Sequence, residues 1–515
     1  MRLDLLTEEK LLIPAPRGAT PRRGVLLFPN SYAVGMASLA THTLYASLNA
    51  MDGMAWERAF VATAGGPTGS RRLCSLESGA PLRDFDVIAI TSSYELDWPA
   101  IPAALAAGGV PPLRPERREI KGAPLVIAGG PAITAAPLPL AEIYDAAYIG
   151  EVEPALPALS EALALPDRQE TLERLAAIPG FFVPELHGEP RPGMLSRQCA
   201  RDLDDCETAS AILTPHSEFP NRFLVEIGRG CGRGCSFCLA RQICRPLRWR
   251  SLANLMDTVR RGLRHTSDLG LIAAAVSDYP DLPGLCAELA ALPPAVNVST
   301  SSIRLESASA DLLALLAGRG QRTVTYAPEA ATESLRGAIG KALGDDALFA
   351  AVERAAAAGL RRVRLYLMVG LPTETPEDRA AIPDLARRLT DAFPRLTFHC
   401  SVGAFSPRPH TPFELESVAP LRDLRKWLAA AQRSLRVLRR VEVTTDSARW
   451  AAMQAALSRA DERLGRALVR HQGTGHSGLM QALAAEGLDW DELTGPQDAG
   501  GALPWKVVDP TCRGR

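Results

Sequence analysis

The feature that most constrains the fold is an alternation of short apolar runs with helical patterns along most of the chain. Among the first 165 residues, runs such as "GVLLFPN" (24–30) and "FDVIAITSS" (85–93) end in polar or turn-forming residues, with helical patterns between them. Strands that alternate with helices build a parallel, doubly wound sheet, whose ligands bind at the carboxyl ends of the strands. Those ends are expected at Pro29–Asn30, Ser92–Ser93, Gly129–Gly130 and Gly150–Glu151.

A second alternating series begins near residue 221. Amphipathic helices such as "DDALFAAVERAAAAG" (345–359) separate six strand candidates. Six repeated β-α units predict a curved parallel sheet or a partial (β/α)6 barrel. The candidates are "FLVEI" (223–227), "GLIAAAVS" (270–277), "VNVSTSS" (296–302), "TVTYAPE" (323–329), "RVRLYLMVG" (362–370) and "LTFHCSVGAF" (396–405).

These patterns divide the chain into four parts. The fold class is α/β, and the expected parts are a Rossmann-like domain (1–165), a Pro-rich connector (166–220), the barrel (221–415) and a mainly helical C-terminal domain (416–515).

Composition favours a cytoplasmic enzyme. The 515 residues are 47% hydrophobic and 22% charged with a net charge of −1, so no global field attracts nucleic acid or an anionic membrane. No run of about twenty apolar residues and no signal-peptide segment is present. In a reducing cytosol, clustered cysteines are more often metal ligands or catalytic groups than disulfides.

Three of the ten cysteines fall within eight residues of the stretch "GRGCGRGCSFC" (228–238). The C-x3-C-x2-C spacing of Cys231, Cys235 and Cys238 lets three thiolates bind three corners of a [4Fe–4S] cluster, leaving the fourth iron open to a small molecule. The glycines between them are expected to let the backbone curl without Cβ clashes and to expose amide donors to the cluster. These glycines are Gly228, Gly230, Gly232 and Gly234.

A structural zinc site is the alternative for the same cysteines. Zinc takes four ligands, commonly as two pairs at C-x2-C or C-x2-H spacing. Cys244 is a candidate fourth ligand, but no second pair follows it. The zinc interpretation is therefore the weaker one.

At this point the sequence resembles the radical S-adenosylmethionine (SAM) superfamily, in which C-x3-C-x-(aromatic)-C follows the first strand of a partial (β/α)6 barrel. The resemblance implies that Cys231, Cys235 and Cys238 hold the cluster and that Phe237 shields it. SAM then binds the open iron, and its reductive cleavage gives a 5′-deoxyadenosyl radical. An apolar barrel interior is expected to exclude water and oxygen from this radical.

Later segments extend the resemblance across the second series. "LMVGLPTET" (367–375) is similar to the fifth-strand motif near the adenine, and "SDYP" (277–280) stands where the family has a GGE-like motif for the SAM amino group, from which it departs. "YAPEAATESLR" (326–336) stands where the fourth strand contacts the ribose or methionyl end, and "GAFSPRPHTPF" (403–413) resembles the segment that closes the barrel. The implied SAM contacts are Phe237, Ser277, Asp278, Glu329, Gly370 and Glu374.

Structural interpretations of these residues are also open. Glu374 suits a helix N-terminus, where negative charge is favourable, and Asp278 suits a turn cap. His410 is expected in a surface loop rather than as a ligand. The basic run beyond the cysteines is either a solvated face or a group that holds carboxylates or phosphates, and comprises Arg241, Arg245, Arg248 and Arg250.

The N-terminal domain resembles the cobalamin-binding domain that precedes the barrel in one branch of the superfamily. "NSYAVG" (30–35) has the six-residue frame of the corrinoid motif D-x-H-x2-G but lacks its histidine ligand. "TSSYEL" (91–96) and "GGPA" (129–132) are similar to the later segments of such domains. The domain either binds cobalamin facing the SAM site, or keeps only the fold and serves in docking. The implied contacts are Asn30, Tyr32, Gly35, Ser92, Ser93, Gly129, Gly130 and Gly150.

The expected activity is radical functionalisation of an unactivated carbon, with methyl transfer where cobalamin is present. The resemblance also implies an electron donor such as flavodoxin or ferredoxin and no membrane. The first alternative is a cobalamin-free enzyme that modifies RNA or protein, as methylthiotransferases do. Such enzymes carry a second cluster held by N-terminal cysteines, and the candidate ligands here are Cys74, Cys199 and Cys206. The basic segment 421–440 could bind phosphates, so nucleic acid is not excluded as a partner. The second alternative is a zinc-stabilised scaffold without activity.

Overall fold

The structure is a computed structural model that describes residues 2–14, 20, 22–62, 72–300, 302–471 and 475–512. Contacts divide the chain into two compact units, each with its own parallel sheet. Unit 1 comprises residues 1–222, 456–493 and 498–515, and unit 2 comprises 223–455 and 494–497. The four expected parts stay a prediction about independently folding domains.

Unit 1 is built on a six-stranded sheet with the strand order β2-β1-β3-β4-β5-β6. All neighbours pair in parallel except β5 and β6. The apolar runs of β1, β3 and β4 are buried, as expected of parallel strands that helices cover on both faces. The strands are β1 (Arg22–Ser31), β2 (Met54–Ala62), β3 (Val87–Thr91), β4 (Leu125–Gly129), β5 (Ala146–Tyr148) and β6 (Phe181–Phe182).

The connecting helices of unit 1 follow the strands as the alternating pattern predicted. They are Arg2–Glu8, Tyr32–Gly35, Leu39–Ala50, Ala100–Ala107, Arg114–Arg118, Pro131–Ala135, Leu156–Leu163, Arg168–Ala176 and Pro184–His187.

The sequence pattern missed strand β2, because its segment carries charged residues. Arg58 in this strand is fully buried, and its guanidinium pairs with Glu9 at 2.7 Å and with Glu77 at 2.7 Å. A buried charge is tolerated when opposite charges and hydrogen bonds compensate it. Both carboxylates come from other segments, so the compensation is invisible in the local sequence.

Residues 456–493 and 498–515 belong to unit 1, whereas most of the helix Ala448–Arg459 belongs to unit 2. Val508–Asp509 pairs in parallel with Leu195–Ser196, and a disulfide joins Cys199 to Cys512. The helices after residue 445 are Ala448–Arg459, Arg463–His471, Gly475–Ala485 and Trp490–Thr494.

Unit 2 contains two parallel sheets whose strands follow one another in chain order, β7-β10-β11 and β12-β13-β14-β15. The six expected strands are confirmed, and β15 is an additional one within a segment expected to be mostly helical. A short antiparallel pair, β8 with β9, flanks the cysteines. The strands are β7 (Phe223–Glu226), β8 (Gly228–Arg229), β9 (Arg248–Trp249), β10 (Asp268–Ile272), β11 (Asn297–Thr300), β12 (Thr323–Glu329), β13 (Arg362–Val369), β14 (Thr397–Ala404) and β15 (Val441–Thr445).

Helices pack against one face of the second sheet of unit 2. Tyr326 on β12 illustrates this, because its hydroxyl donates to the carbonyl of Ala351 on a covering helix. The helices of unit 2 are Leu239–Ile243, Leu252–Gly262, Leu282–Ala290, Ala310–Gly318, Glu333–Ala338, Asp345–Ala357, Pro376–Ala392 and Leu421–Arg436.

The opposite face of this sheet is polar, which corrects the expectation of an apolar barrel interior. Burial alternates along β13 and β14: Leu365 and Cys400 are buried, whereas Arg364, Tyr366 and His399 are more exposed. A strand directs successive side chains to opposite faces. The expectation failed because the alternating apolar residues serve the helix-covered face.

The described helices include none that is both long and apolar enough to cross a membrane.

Candidate active site

The three clustered cysteines lie on the loop that leaves strand β8. Cys231, Cys235 and Cys238 are all half-buried free thiols, and Cys238 directly precedes the helix Leu239–Ile243. The loop follows the first strand of the parallel series, so it lies at the carboxyl edge where such folds bind ligands.

At two of the four glycines around the cysteines, a Cβ would overlap neighbouring atoms. Gly230 has φ of +92°, and a Cβ there would lie 2.5 Å from the carbonyl oxygen of Cys244. A Cβ on Gly228 would overlap the Trp249 ring. Gly232 and Gly234 have room for a Cβ at ordinary contact distance, so the expectation of a steric need is wrong for these two.

The basic run does not form one surface. Arg248 and Arg250 are buried, and they bond main-chain carbonyls: the Nε atom of Arg248 donates to Pro246, and that of Arg250 donates to Glu226. Arg245 is exposed and donates to Arg241. Burial excludes a solvated face for these two arginines, and the binding of a carboxylate or phosphate by the run stays a prediction.

A second segment holds the cysteine loop from the other side. The backbone N–H of Ser236 donates to the carbonyl of Ile339 at 2.9 Å. Gly340 has φ of +74°, and a Cβ there would overlap the carbonyl oxygen of Gly234. In the sequence, this contact is marked only by a glycine shortly after the helix Glu333–Ala338. Such a glycine is typical of any helix C-terminus, so it does not predict the contact.

The donor set fits a [4Fe–4S] cluster. Burial raises the pKa of the Cys235 thiol, the neighbouring Cys238 and Cys231 add to the rise, and Lys341 and Arg304 oppose it. No group of three Cys, His, Asp or Glu side chains in the described residues is gathered to hold a single metal ion. A cluster makes a different demand, because each thiolate binds its own iron and the sulfurs need not converge on one point.

Phe237 packs beside the loop against an apolar group at the carboxyl edge of unit 2. The buried members of this group include Leu371 and Phe405, and Met368 and Phe413 pack against it as Phe237 does. The position agrees with the expected shielding of the cluster by Phe237, which stays a prediction.

Ser277 and Asp278 lie in the segment that follows strand β10, within the short helical turn Val276–Asp278. The Ser277 hydroxyl accepts from the backbone N–H of Arg304 at 2.9 Å. Asp278 faces two guanidiniums, that of Arg233 at 3.5 Å and that of Arg304 at 3.7 Å, and it accepts from the Ser307 hydroxyl. An ammonium group of SAM would have to share Asp278 with these arginines.

Glu329 ends strand β12 in a left-handed conformation with φ of +68°. Its carboxylate pairs with Lys341 at 3.1 Å, and both side chains are mostly buried. Burial raises the pKa of Glu329, and Lys341 opposes the rise. Lys341 also lowers the pKa of the Cys235 thiol, because its positive charge stabilises the thiolate. The same lysine therefore interacts with Glu329 and with Cys235.

Gly370 and Glu374 act together to close the loop after strand β13. The Glu374 carboxylate accepts from the Gly370 N–H at 2.6 Å and from Arg379 at 3.0 Å, and its side chain is only 2% exposed. Thr375 and Asp378 cap the following helix and Glu374 directly precedes Thr375, so its carboxylate lies at a helix N-terminus, as the structural interpretation expected. Its contact with SAM stays a prediction.

His410 also has φ above zero, at +64°, and its backbone N–H donates to Glu414. The structure places it in the loop after strand β14.

In unit 1, the carboxyl edge of the sheet has an open part. Ser93 is exposed, and a Cβ on Gly129 would have only the carbonyl oxygen of Tyr148 within 4 Å, at 3.9 Å. Ser92 is buried, and Gly130 approaches its backbone with φ of +103°. Ser93 and Gly129 therefore leave space for a ligand, whereas Ser92 and Gly130 shape the edge.

The other expected cobalamin contacts have packing or local roles in the structure. Tyr32 is buried and donates to Glu9, and a Cβ on Gly35 would overlap Phe60. A Cβ on Gly150 would overlap the Gln198 backbone. Asn30 stays at the edge and donates to Asp97 at 2.7 Å.

Sequence reasoning missed three residues beside the cysteine loop: Arg304, Gly340 and Lys341. Arginine, glycine and lysine in loops are common, and nothing in the local pattern marks these. Their proximity to the thiols follows only from the tertiary arrangement.

Comparisons with known proteins agree with this geometry. The family described as "Radical SAM superfamily" matches residues 225–386, and "Radical SAM proteins, N-terminal" matches residues 40–184. The chain is 30% identical over 396 residues to the uncharacterized protein MJ0966 of Methanocaldococcus jannaschii. The aligned residues make up 76% of this chain and 79% of that protein.

Among solved structures, the chain resembles the cobalamin-dependent S-adenosylmethionine radical enzyme OxsB. The complex with aqua-cobalamin and S-adenosylmethionine has a TM-score of 0.51 at 15% identity, over 73% of this chain and 53% of that one. The complex with aqua-cobalamin has a TM-score of 0.51 at 14% identity, with the same coverage. The chain thus spans about half the length of that enzyme, and the likeness shows the fold.

The C-x3-C-x2-C loop stands at the start of a parallel β-α series, the two family matches fall on residues 40–184 and 225–386, and the relative matches 76% of this chain at 30% identity. The chain therefore belongs to the radical SAM superfamily, a family that implies a [4Fe–4S] cluster and SAM.

Proposed function

We propose that this protein is a cobalamin-dependent radical SAM enzyme that functionalises an unactivated carbon, with methyl transfer as the reaction. When bound, the cluster and SAM supply a 5′-deoxyadenosyl radical for hydrogen abstraction, and cobalamin supplies the methyl group. Cys231, Cys235 and Cys238 would hold the cluster. Unit 1 would hold cobalamin at the carboxyl edge of its sheet.

The chain's own residues prepare the SAM side of this chemistry. Lys341 and Arg304 place positive charge near Cys235, which favours the thiolate that iron binds. The clamp of Glu374 on Gly370 fixes the loop after strand β13 before SAM arrives. Phe237 and its apolar neighbours keep water from this end of unit 2.

The observation that carries the cobalamin part is the open edge at Ser93 and Gly129. Parallel sheets bind ligands at this edge, and at Gly129 a Cβ would have one atom within 4 Å, the Tyr148 carbonyl oxygen at 3.9 Å, so a nucleotide-like tail has room to approach the backbone. OxsB, whose solved structure has a similar fold, is a cobalamin-dependent enzyme with aqua-cobalamin bound in that structure.

The methylthiotransferase alternative gains no support from the cysteines of unit 1. Cys199 is bonded to Cys512, so within the described part of this unit Cys74 and Cys206 are the cysteines outside a disulfide.

The test is the binding of hydroxocobalamin to the reconstituted full-length protein, measured as the corrinoid spectrum that remains after gel filtration. We expect one corrinoid per chain in the wild type and at least a tenfold weaker affinity for Gly129→Leu, which fills the open edge. Gly318→Leu, in unit 2, is the matched control, because a Cβ at Gly318 meets nothing within 4 Å, and it should bind like the wild type. A wild type with a full cluster and no retained corrinoid would overturn the cobalamin part.

A further inference from the structure

The polar face of the second sheet in unit 2 carries an arrangement that the SAM chemistry does not use. On strand β13, Arg364 and Tyr366 alternate with buried Val363, Leu365 and Leu367. Tyr366 is 41% exposed. Because the buried side chains face the helices, Arg364 and Tyr366 point to the opposite side.

Strand register extends this face across three strands. Arg364 lies opposite His399 on β14, and Ser401 on β14 lies opposite Thr444 on β15. The Nε atom of Arg364 donates to Nδ1 of His399 at 3.3 Å, and Nε2 of His399 lies 3.1 Å from the Thr444 hydroxyl. Since Nδ1 accepts, the imidazole carries its proton on Nε2 and is neutral. The Ser401 hydroxyl lies 3.1 Å from that of Thr444.

Arg362 and Arg364 share this face with Glu442 and Asp446, but Arg364 has no carboxylate partner among the described residues. Arg362 pairs with Glu442 at 3.3 Å, whereas no carboxylate of the described residues lies within ion-pair distance of Arg364. Burial and Arg364 lower the pKa of His399 and Glu442 opposes the shift, which agrees with the neutral imidazole that accepts from Arg364. A half-buried guanidinium whose Nε is already bonded directs its remaining donors outward in a planar fork. This fork matches the two oxygens of a carboxylate or phosphate.

The polar face of the second sheet extends along strand β13 toward the cysteine loop. Met368 lies four residues beyond Arg364 on the same side of strand β13, and it packs against the same apolar group as Phe237. At about 3.3 Å per residue, Arg364 is about 13 Å along the strand from Met368. This separation leaves room for the reacting end of a substrate on the side of the cysteines.

We propose that Arg364, positioned by His399 and flanked by Ser401 and Thr444, binds an oxyanion of the substrate, either a carboxylate or a phosphate. The substrate is thus an anionic molecule whose charged group lies at the end remote from the reacting carbon. This inference rests on the proposed function, because it takes the polar face to be the substrate side of the SAM site.

The binding experiment uses inorganic phosphate and succinate as probes, with sodium chloride at equal ionic strength as the control. The full-length protein carries isotope-labelled histidine rings, and the His399 resonance, one of eight, is assigned from its loss in His399→Gln. We expect a saturable shift of the His399 resonance with phosphate, succinate or both, and none with chloride. A response to only one probe identifies the group as phosphoryl or carboxylate.

Three variants decide whether Arg364 is the receptor. Arg364→Gln should weaken the binding of the probe at least tenfold, and Arg364→Lys should retain part of it. Arg362→Gln is the matched control, because it removes an arginine that is already paired with Glu442. No saturable shift in the wild type, a shift with chloride alone, or equal affinity in Arg364→Gln would overturn the proposal.

A separate measurement distinguishes this failure from failure of the proposed function. SAM cleavage with dithionite as the electron donor and no substrate needs the cluster but not an oxyanion site, and methionine release by the wild-type protein measures it. A wild type that releases none refutes the proposed function, whatever the probe titration shows. Normal cleavage without a probe response refutes only the oxyanion site.

Discussion

Gly340 approaches Gly234 so closely that a Cβ on residue 340 would overlap the carbonyl oxygen of residue 234. This contact joins the segment after a unit 2 helix to the middle of the cysteine loop, and the Ser236–Ile339 hydrogen bond lies beside it. The loop conformation is therefore set by a distant segment as well as by its own glycines.

We expect Gly340→Ala to lower the iron content of the reconstituted protein and to destabilise unit 2 by about 1–3 kcal/mol. The cause is the left-handed φ together with the overlap. Gly337→Ala is the matched control, because a Cβ there meets nothing within 4 Å, and it should be neutral or slightly stabilising. Iron analysis and thermal unfolding measure both effects, and equal behaviour of the two variants would contradict the packing argument.

Cys235→Ser should abolish the [4Fe–4S] spectrum, because two cysteines do not hold a cluster that needs three. Cys244→Ser should leave four irons per chain, since Cys244 is not one of the three proposed ligands. Iron, sulfide and zinc analysis after anaerobic reconstitution checks both variants. An iron-free wild type with one zinc, lost on Cys244→Ser, would favour the zinc interpretation instead.

Removal of the Glu374 carboxylate should weaken SAM binding without loss of the cluster. Glu374→Ala leaves the Gly370 N–H and Arg379 without their acceptor, at a cost of about 1–3 kcal/mol. We expect SAM affinity to fall about tenfold in equilibrium dialysis, and Glu374→Gln to lose less, because its amide oxygen still accepts from Gly370. Exposed Glu377→Gln serves as the control. Unchanged affinity in Glu374→Ala would show that the loop needs no clamp.

The stability of unit 1 should fall as pH drops from about 6.5 to 4. Burial lowers the pKa of His42 to about 4 and the charge of Arg58 adds to this effect, whereas the Met36 carbonyl, 3.0 Å from Nε2, opposes it. Below its ordinary pKa the unfolded chain binds a proton that the folded chain excludes, so the free energy of unfolding decreases. Between pH 7 and 5 this contribution is about 2 kcal/mol.

His42→Gln removes this titration, and its unfolding free energy should depend on pH by about 2 kcal/mol less over the same range. Urea titrations at pH 7 and 5 measure the difference. Identical pH dependence in the wild type and the variant would mean that His42 does not contribute.

Much of the fold could be predicted because its signals are local. Strand periodicity and turn residues located the six expected strands of unit 2 and the main strands of unit 1, and the family matches fall on the same series. Strand β2 escaped because the charge of Arg58 is compensated by Glu9 and Glu77, which are far away in sequence.

The candidate site was less predictable, for the same physical reason. The spacing of Cys231, Cys235 and Cys238 marks a cluster by itself, because three thiolates on one short loop need no distant partner. The sequence did not show that Glu374 is a clamp, or that Tyr32 and Gly35 pack in the core of unit 1.

The sequence alone determined the cysteine loop and the alternation of strands and helices, since short-range spacing and periodicity encode both. Only the tertiary structure decided which side chains meet: Lys341 with Glu329, Gly340 with Gly234, and Arg364 with His399. Parallel strands place residues from distant segments opposite one another, and their register depends on how the whole sheet packs against its helices.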